Sequence, residues 1–284
     1  MATRQDTLWK QFLQPVFGFL IDENALKQLS RSIDWKSECD RISNPDLVYP
    51  HYYQSQNFHG ISGGYLTSDA AVTYDAVTQY VLPPNENLVR QSLVDAVRGK
   101  PQKMLDLGCG TGSTTILLQQ QFPEARVTGL DLSPQMLAIA NYKAKQLNYD
   151  IEWLHGLAEA TSLPESSFDL ITASLLFHET PPAITKAILE EAFRLLTPGG
   201  QIVILDGNQK TLRQTTWLTN IFEEPYIQDY ALGNVDAWLG AAGFDMIRTD
   251  EFWWTNQVSY GFKPLPISEA ERVDSHDLQL AFNN

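Results

Sequence analysis

From residue 103 onward, short apolar runs alternate with segments whose apolar residues recur at helical spacing. Residues 103–107, 126–130, 151–154, 168–174 and 201–205 read as five strands, and the fourth is apolar enough to be buried on both faces. Residues 114–121, 134–147, 183–196 and 235–242 read as helices. Ser133 is a natural N-cap for the second, and Pro198-Gly199-Gly200 predicts a turn that stops the third. Residues 245–249 and 256–262 predict two last strands forming a hairpin-like edge. Strands that alternate with helices imply right-handed crossovers and mainly parallel pairing. The expected architecture is therefore α/β, a doubly wound, mainly parallel seven-stranded sheet.

The first third of the chain breaks this rhythm. Residues 7–32 have helical spacing, interrupted at Pro15 and Gly18. Residues 49–65 are rich in aromatics, His and Gly without any period, which predicts a loop of the kind that covers sites. Helices are expected at 68–80 and 86–97, separated by Pro83-Pro84. The organisation that follows is an N-terminal helical cap and lid at 1–84, a catalytic domain at 85–265 and a polar tail at 266–284. The amphipathic N-terminal helix would serve a lid or a homodimer equally well.

The candidate chemistry begins at Asp106-Leu107-Gly108-Cys109-Gly110-Thr111-Gly112, which follows a strand and opens a helix. Its G-x-G-x-G spacing differs from the G-x-G-x-x-G of dinucleotide folds, where a helix N-terminus meets a pyrophosphate. Glycines at alternate positions let a ligand approach the backbone along the whole turn. Asp106 offers a carboxylate suited to an ammonium group. Asp131, ending the next strand, is placed to accept hydrogen bonds from both hydroxyls of a ribose. Gly156-Leu157-Ala158-Glu159 follows the third strand and is placed for an adenine edge. A ligand with an adenosine and a charged amino-acid tail fits these positions, and S-adenosylmethionine is such a ligand.

Charge narrows the acceptor. The 284 residues carry a formal net charge of −14, and affinity for nucleic acid rests on Lys and Arg neutralising phosphates. A nucleic-acid partner is therefore not expected, nor is docking on anionic membranes. With 43% hydrophobic residues the chain has an ordinary globular composition. Its first twenty residues have no continuous apolar core, so neither a signal peptide nor a membrane span is expected there. Two cysteines, Cys39 and Cys109, read as free thiols in a reducing cytoplasm.

These motifs resemble the class I S-adenosylmethionine-dependent methyltransferases, most of all the menaquinone- and ubiquinone-biosynthesis-like branch that acts on small molecules. The likeness rests on LDLGCGTG (105–112), GLDLSPQML (129–137), LPESSFDLI (163–171), LTPGGQIVI (196–204) and AAGF (241–244). It implies a Rossmann-like methyltransferase fold, S-adenosylmethionine as donor with S-adenosylhomocysteine as product, and no metal. The implied cofactor residues are Asp106, Gly108, Cys109, Gly110, Asp131, Leu132, Leu157, Ala158, Glu159 and Ser174. Leu157 departs from the family, which often carries Asp there, so the adenine contact falls to the Ala158 N–H or to Glu159. The Asn-Pro-Pro-Tyr signature of enzymes that methylate nucleic-acid amino groups is absent.

Methyl transfer from a sulfonium is an in-line displacement that needs alignment and exclusion of water, with a base where the acceptor is a hydroxyl or an acidic carbon. His178 and Glu179 follow the fourth strand and are the candidate base; His59 and Tyr74 of the N-terminal segment are further candidates, with Tyr52, Tyr53 and Tyr65 beside them. Glu223 and Glu224 are expected to be solvated, and Trp253 and Trp254 to pack at a sheet edge or line an acceptor pocket. The expected function is methyl transfer to oxygen or carbon of a small apolar or aromatic metabolite. A nitrogen acceptor, a non-catalytic S-adenosylmethionine-binding regulator and a nicotinamide oxidoreductase are the alternatives.

Overall fold

The structure, a computed structural model, describes residues 21–266 except 57, 59, 60, 62 and 216–223. The first twenty residues, His59, Glu223 and all but the first residue of the polar tail lie outside the described residues.

Strands β1 (Lys103–Leu107), β2 (Arg126–Asp131), β3 (Glu152–His155), β4 (Phe168–Ser174) and β5 (Leu196–Gly207) pair in parallel. β7 (Asn256–Phe262) is antiparallel to both β5 and the edge strand β6 (Asp245–Phe252). The seven-stranded order is β3-β2-β1-β4-β5-β7-β6. The chain leaves β1 in one direction for β2 and β3 and returns on its other side as β4. That reversal opens a crevice at the carboxyl ends of β1 and β4, where ligands sit in such sheets. β1 and β4 are buried almost throughout because helices cover both faces. One core layer centres on Leu105, Leu107, Ile171 and Ile204, the other on Met104, Val127, Leu170 and Val203.

Before the sheet come α1 (Glu23–Ser32), α2 (Trp35–Ile42), the single turn α3 (His51–Gln54), α4 (Ser68–Val81) and α5 (Glu86–Asp95). α6 (Ser113–Gln121) and α7 (Pro134–Gln146) follow β1 and β2, and α8 (Pro182–Leu195) follows β4. Short helices α9 (Gln209–Gln214), α10 (Ile227–Leu232) and α11 (Val235–Ala241) lie between β5 and β6. α2 has no counterpart in the apolar pattern; a local contact marks its start, as the Asp34 carboxylate accepts from Ser37 N–H.

Several contacts tie the N-terminal helices to the sheet side. Phe58, Tyr65, Ala71 and Val72 pack against Met136, Ala138 and Ile139 of α7. The Asp75 carboxylate accepts from Thr111 Oγ1 (2.5 Å) and from Lys143 Nζ (2.7 Å). Asn44 N–H donates to His155 Nδ1 at 2.9 Å.

Two expectations change. Pro198-Gly199-Gly200 does not separate α8 from β5 but lies inside the strand as a bulge, the register jumping from Phe168↔Leu196 to Leu170↔Gln201. The bulge is held because Gly199 N–H donates to Lys263 O and Lys263 N–H to Gly200 O, with Gly199 at φ +79°. Trp253 and Trp254 do not pack: they form the β6–β7 turn and are 56% and 55% exposed. Among the described residues no helix is long and apolar enough to cross a membrane.

Candidate functional site

The turn after β1 is built from three left-handed glycines, Gly108 (φ +63°), Gly110 (φ +54°) and Gly112 (φ +76°). They are required for different reasons. A Cβ on Gly108 would lie 2.6 Å from Leu176 Cδ1, and one on Gly112 2.6 Å from Trp153 Cη2. A Cβ on Gly110 would meet nothing within 4 Å, so there the bare backbone faces open space. Asp131, across from it, accepts from Gly110 N–H through Oδ2 and from Ser133 N–H through Oδ1, both at 2.8 Å. Burial pushes its carboxyl up to about 6, while these two N–H donors favour the charged form.

The open space is a cleft of about 800 Å³, mouth included. Its sheet-side wall is Gly108, Cys109, Gly110, Leu130, Asp131, Leu132, Gly156, Ala158, Glu159 and Ser174. Its opposite wall comes from the N-terminal segment: Tyr52, Tyr53, Phe58, Tyr65 and Tyr74. Two phenols bridge the walls, Tyr52 donating to Glu159 Oε1 (2.8 Å) and Tyr65 to Glu179 Oε1 (2.5 Å). Burial and the facing carboxylates push both phenols far above their usual range, so they remain neutral donors. Glu159 Oε2 is buried and has no partner among the described residues.

Of the ten expected cofactor positions, eight line this cleft and two do not. Asp106 is fully buried beneath the turn, where its oxygens accept from Thr115 Oγ1 (2.6 Å) and Thr172 Oγ1 (2.7 Å). Instead of facing an ammonium group it fastens the turn to α6 and β4. Leu157 makes a backbone bridge to Ala160 and is absent from the wall between Gly156 and Ala158.

Of the expected catalytic positions, Glu179 and Tyr74 line the cleft; His59 lies outside the described residues. His178 turns away from its neighbour Glu179. Its Nδ1 is 2.5 Å from Asp206 Oδ1 and its Nε2 3.5 Å from Glu224 Oε2. Burial disfavours the charged ring, but the carboxylates of Asp206 and Glu224 outweigh it and push His178 up to about 10. The ring lies outside the cleft wall, fastened between Asp206 and Glu224. The Glu224 side chain, expected in solvent, is only 9% exposed because it approaches this cation.

Arg90 is the residue that sequence reasoning missed. It is 4% exposed, lines the cleft, and is held by Glu86, Thr114 and Ser174. The Glu86/Arg90 spacing on α5 reads as an ordinary surface i,i+4 pair. The signal against that reading is the apolar run Val89, Leu93 and Val94 on the same helix, all buried. Among the described residues no three His, Cys, Asp or Glu side chains gather as metal ligands.

Comparison with known proteins agrees with this geometry. Residues 104–200 match a family described as "Methyltransferase domain". The demethylmenaquinone methyltransferase of Thermus thermophilus is 34% identical over 140 residues, 49% of this chain and 63% of the relative. That of Listeria welshimeri is also 34% identical, over 40% of this chain and 48% of its own. The chain thus spans between about half and just under two thirds of the length of these relatives. In fold it is similar to human N-acetylserotonin methyltransferase in complex with SAM (TM-score 0.54, 17% identity, 70% of this chain and 57% of that one). A SAM-dependent methyltransferase from Aquifex aeolicus is similar over 69% of this chain and 98% of its own (TM-score 0.51, 20% identity). A Synechocystis protein described as an uncharacterized methyltransferase is 34% identical over 155 residues, 52% of this chain and 68% of that relative. With so much of that relative matched at this identity, and with the turn and sheet described above, the chain belongs to the class I S-adenosylmethionine-dependent methyltransferases.

Proposed function

We propose that this protein transfers a methyl group from S-adenosylmethionine to oxygen or carbon of a small apolar or aromatic acceptor, with residues of the N-terminal segment forming the lid over the site. The carrying observation is the two-walled cleft: the glycine turn and Asp131 on one side, five aromatic side chains on the other. The residues fit an adenosyl ligand. Asp131 offers acceptors to ribose hydroxyls, and the orphaned Glu159 Oε2 offers one to the adenine amino group. When bound, S-adenosylmethionine supplies an already activated methyl group. The rest is the protein's work. The aromatic wall excludes water and holds a planar or apolar acceptor by its faces. Glu179, oriented by the Tyr65 hydroxyl, receives the acceptor's proton. That the relatives are named for demethylmenaquinone supports a ring-bearing acceptor.

Calorimetric titration with S-adenosylmethionine and S-adenosylhomocysteine, with NADH as control, tests the cofactor half. Binding of NADH in place of the other two sinks the reading; binding of the adenosyl ligands licenses an acceptor screen with labelled methyl donor. In that screen Glu179→Gln should lower kcat by about a hundredfold or more while leaving cofactor affinity unchanged. Equal kcat would remove Glu179 from proton transfer.

The cofactor affinity should also depend on pH. Only ionised Asp131 accepts two ribose hydroxyls without giving up an acceptor site to its own proton. Its carboxyl titrates at about 6, so affinity is full above that pH and falls as pH drops through it. The limiting slope is about tenfold per pH unit. Titrations at pH 8, 6 and 5 read this directly, and a flat profile would detach Asp131 from the ribose.

A further inference from the structure

We propose that the β6–β7 turn is an interfacial anchor: Trp253 and Trp254 enter the headgroup region of a zwitterionic lipid surface and hold the cleft edge of the protein against it. Neither side chain lines the cleft, and the contact is separate from methyl transfer.

Large apolar side chains exposed one at a time are ordinary on a protein surface. Trp253 and Trp254, 56% and 55% exposed, are the one pair of chain neighbours among those of the described residues. With Thr255 they form the apex of the hairpin, between Phe252 and Asn256, the last pair of the β6–β7 ladder. Trp253 sits at φ +49°, a left-handed backbone that glycine adopts freely and a bulky residue does not. The turn thus has no use of its own for an indole at that position, and neither ring belongs to a core cluster. Sheet register places the indoles. Asn256 pairs with Gly207, the last residue of β5, and Asn208 N–H donates to Thr255 O at 2.8 Å. The apex therefore stands at the carboxyl edge of the parallel strands, the edge where the cleft opens. β7 is two strands from β4, about 10 Å at the usual strand spacing.

Area and charge select the occupant. A stable dimer buries about 800 Å² on each partner, whereas two whole indole side chains supply at most about 500 Å², of which about half is exposed here. The edge strand β6 carries Asp245, Arg248, Asp250 and Glu251, charges that oppose edge-to-edge pairing with a second copy. A lipid interface asks less: an indole buries its apolar body while its N–H stays with the wet headgroups. That surface has to be free of net charge. Residues 253–255 carry none, Arg248 faces Asp250 (2.8 Å), Lys210 faces Glu251 (3.4 Å), and the whole chain stands at −14. Both cations are spent on acids and do not offset the repulsion from an anionic leaflet. A zwitterionic surface imposes no such repulsion. Contact there sets the cleft edge beside a phase in which apolar ring compounds dissolve.

The test is sedimentation of the full chain with phosphatidylcholine vesicles, with and without a phosphatidylserine fraction. The wild type should partition reversibly onto phosphatidylcholine. Trp253→Ser combined with Trp254→Ser should lower the partition coefficient by at least about tenfold, the apolar area of two indoles being lost. Phosphatidylserine should weaken wild-type binding, and added salt should restore it. A urea midpoint equal to the wild type's shows that the double variant is folded. Trp254→Ser alone leaves the left-handed position untouched and serves if the double variant unfolds, with a smaller loss in the same direction. Absence of wild-type binding to phosphatidylcholine, undiminished binding by a folded variant, or binding that grows with phosphatidylserine overturns the anchor. So does a wild-type dimer in analytical ultracentrifugation that the double variant loses, which would give the turn to a second copy. Vesicle binding uses no cofactor, so it stands or falls apart from the methyl-transfer reading.

Discussion

Asp206→Ala is expected to destabilise the protein by about 3–5 kcal/mol, the usual cost of removing one partner from a buried ion pair. Asp206 is 1% exposed and serves three donors at the end of β5: His178 Nδ1, Phe177 N–H and Gly207 N–H. Alanine would leave all three short of an acceptor, with Glu224 at Nε2 still facing the other edge of the His178 ring. The prediction carries a pH signature. His178 titrates at about 10 in the folded protein, against roughly 6.5 in an unfolded chain. A raised basic group stabilises fully below the unfolded value and loses that contribution as pH climbs through the folded one. Wild-type stability should therefore decline between about pH 6.5 and 10, and Asp206→Ala should flatten that decline. Urea unfolding across the range measures both, with Cm moving and m constant. A loss under about 1 kcal/mol at pH 7 would show that the pair is not a structural anchor.

That anchor also shows how far the sequence can be read. His178 and Glu179 are adjacent in a 3-10 turn, and position alone recommends both as bases at the carboxyl edge of β4. What separates them is tertiary: one ring meets Asp206 and Glu224, the other side chain meets Tyr65. The same holds for Asp106 and Asp131. Each ends or nearly ends a strand two residues from a glycine, yet Asp106 has two threonine hydroxyls within 2.7 Å and Asp131 has backbone donors at the cleft. Strand–helix alternation was legible because burial imposes a period on the residues themselves. So was the glycine turn, because a left-handed backbone demands glycine. Arg90 was not, since a buried ion pair and a surface one share the same i,i+4 spacing. Nor was the bulge at Pro198-Gly199-Gly200, whose residues are those of a turn and whose partner, Lys263, lies far along the chain.

Asp131→Ala should raise the dissociation constant for S-adenosylmethionine by about a hundredfold at pH 8. Two hydroxyl donors to a charged acceptor are each worth roughly 1.5–3 kcal/mol, so a hundredfold is a conservative total. The folded protein should survive the change. Asp131 is an acid whose folded pKa, about 6, is raised above its unfolded value by burial. Its ionised form is therefore a net cost to the empty protein above that pH, and the stability it favours belongs to the acid side and fades as pH rises toward 6. Alanine removes this cost along with the bonds to Gly110 and Ser133, and the two effects oppose. A ribose that donates to the carboxylate would recover what burial costs, so the affinity loss should exceed the stability loss. Asp131→Asn separates the contributions: it keeps one acceptor oxygen but no charge, so it should bind weakly and without dependence on pH between 5 and 8. Calorimetry on both variants, with urea unfolding as the control, reads the outcome. Wild-type affinity in a folded Asp131→Ala would mean that the ribose lies elsewhere and that the acid at the end of β2 only shapes the turn.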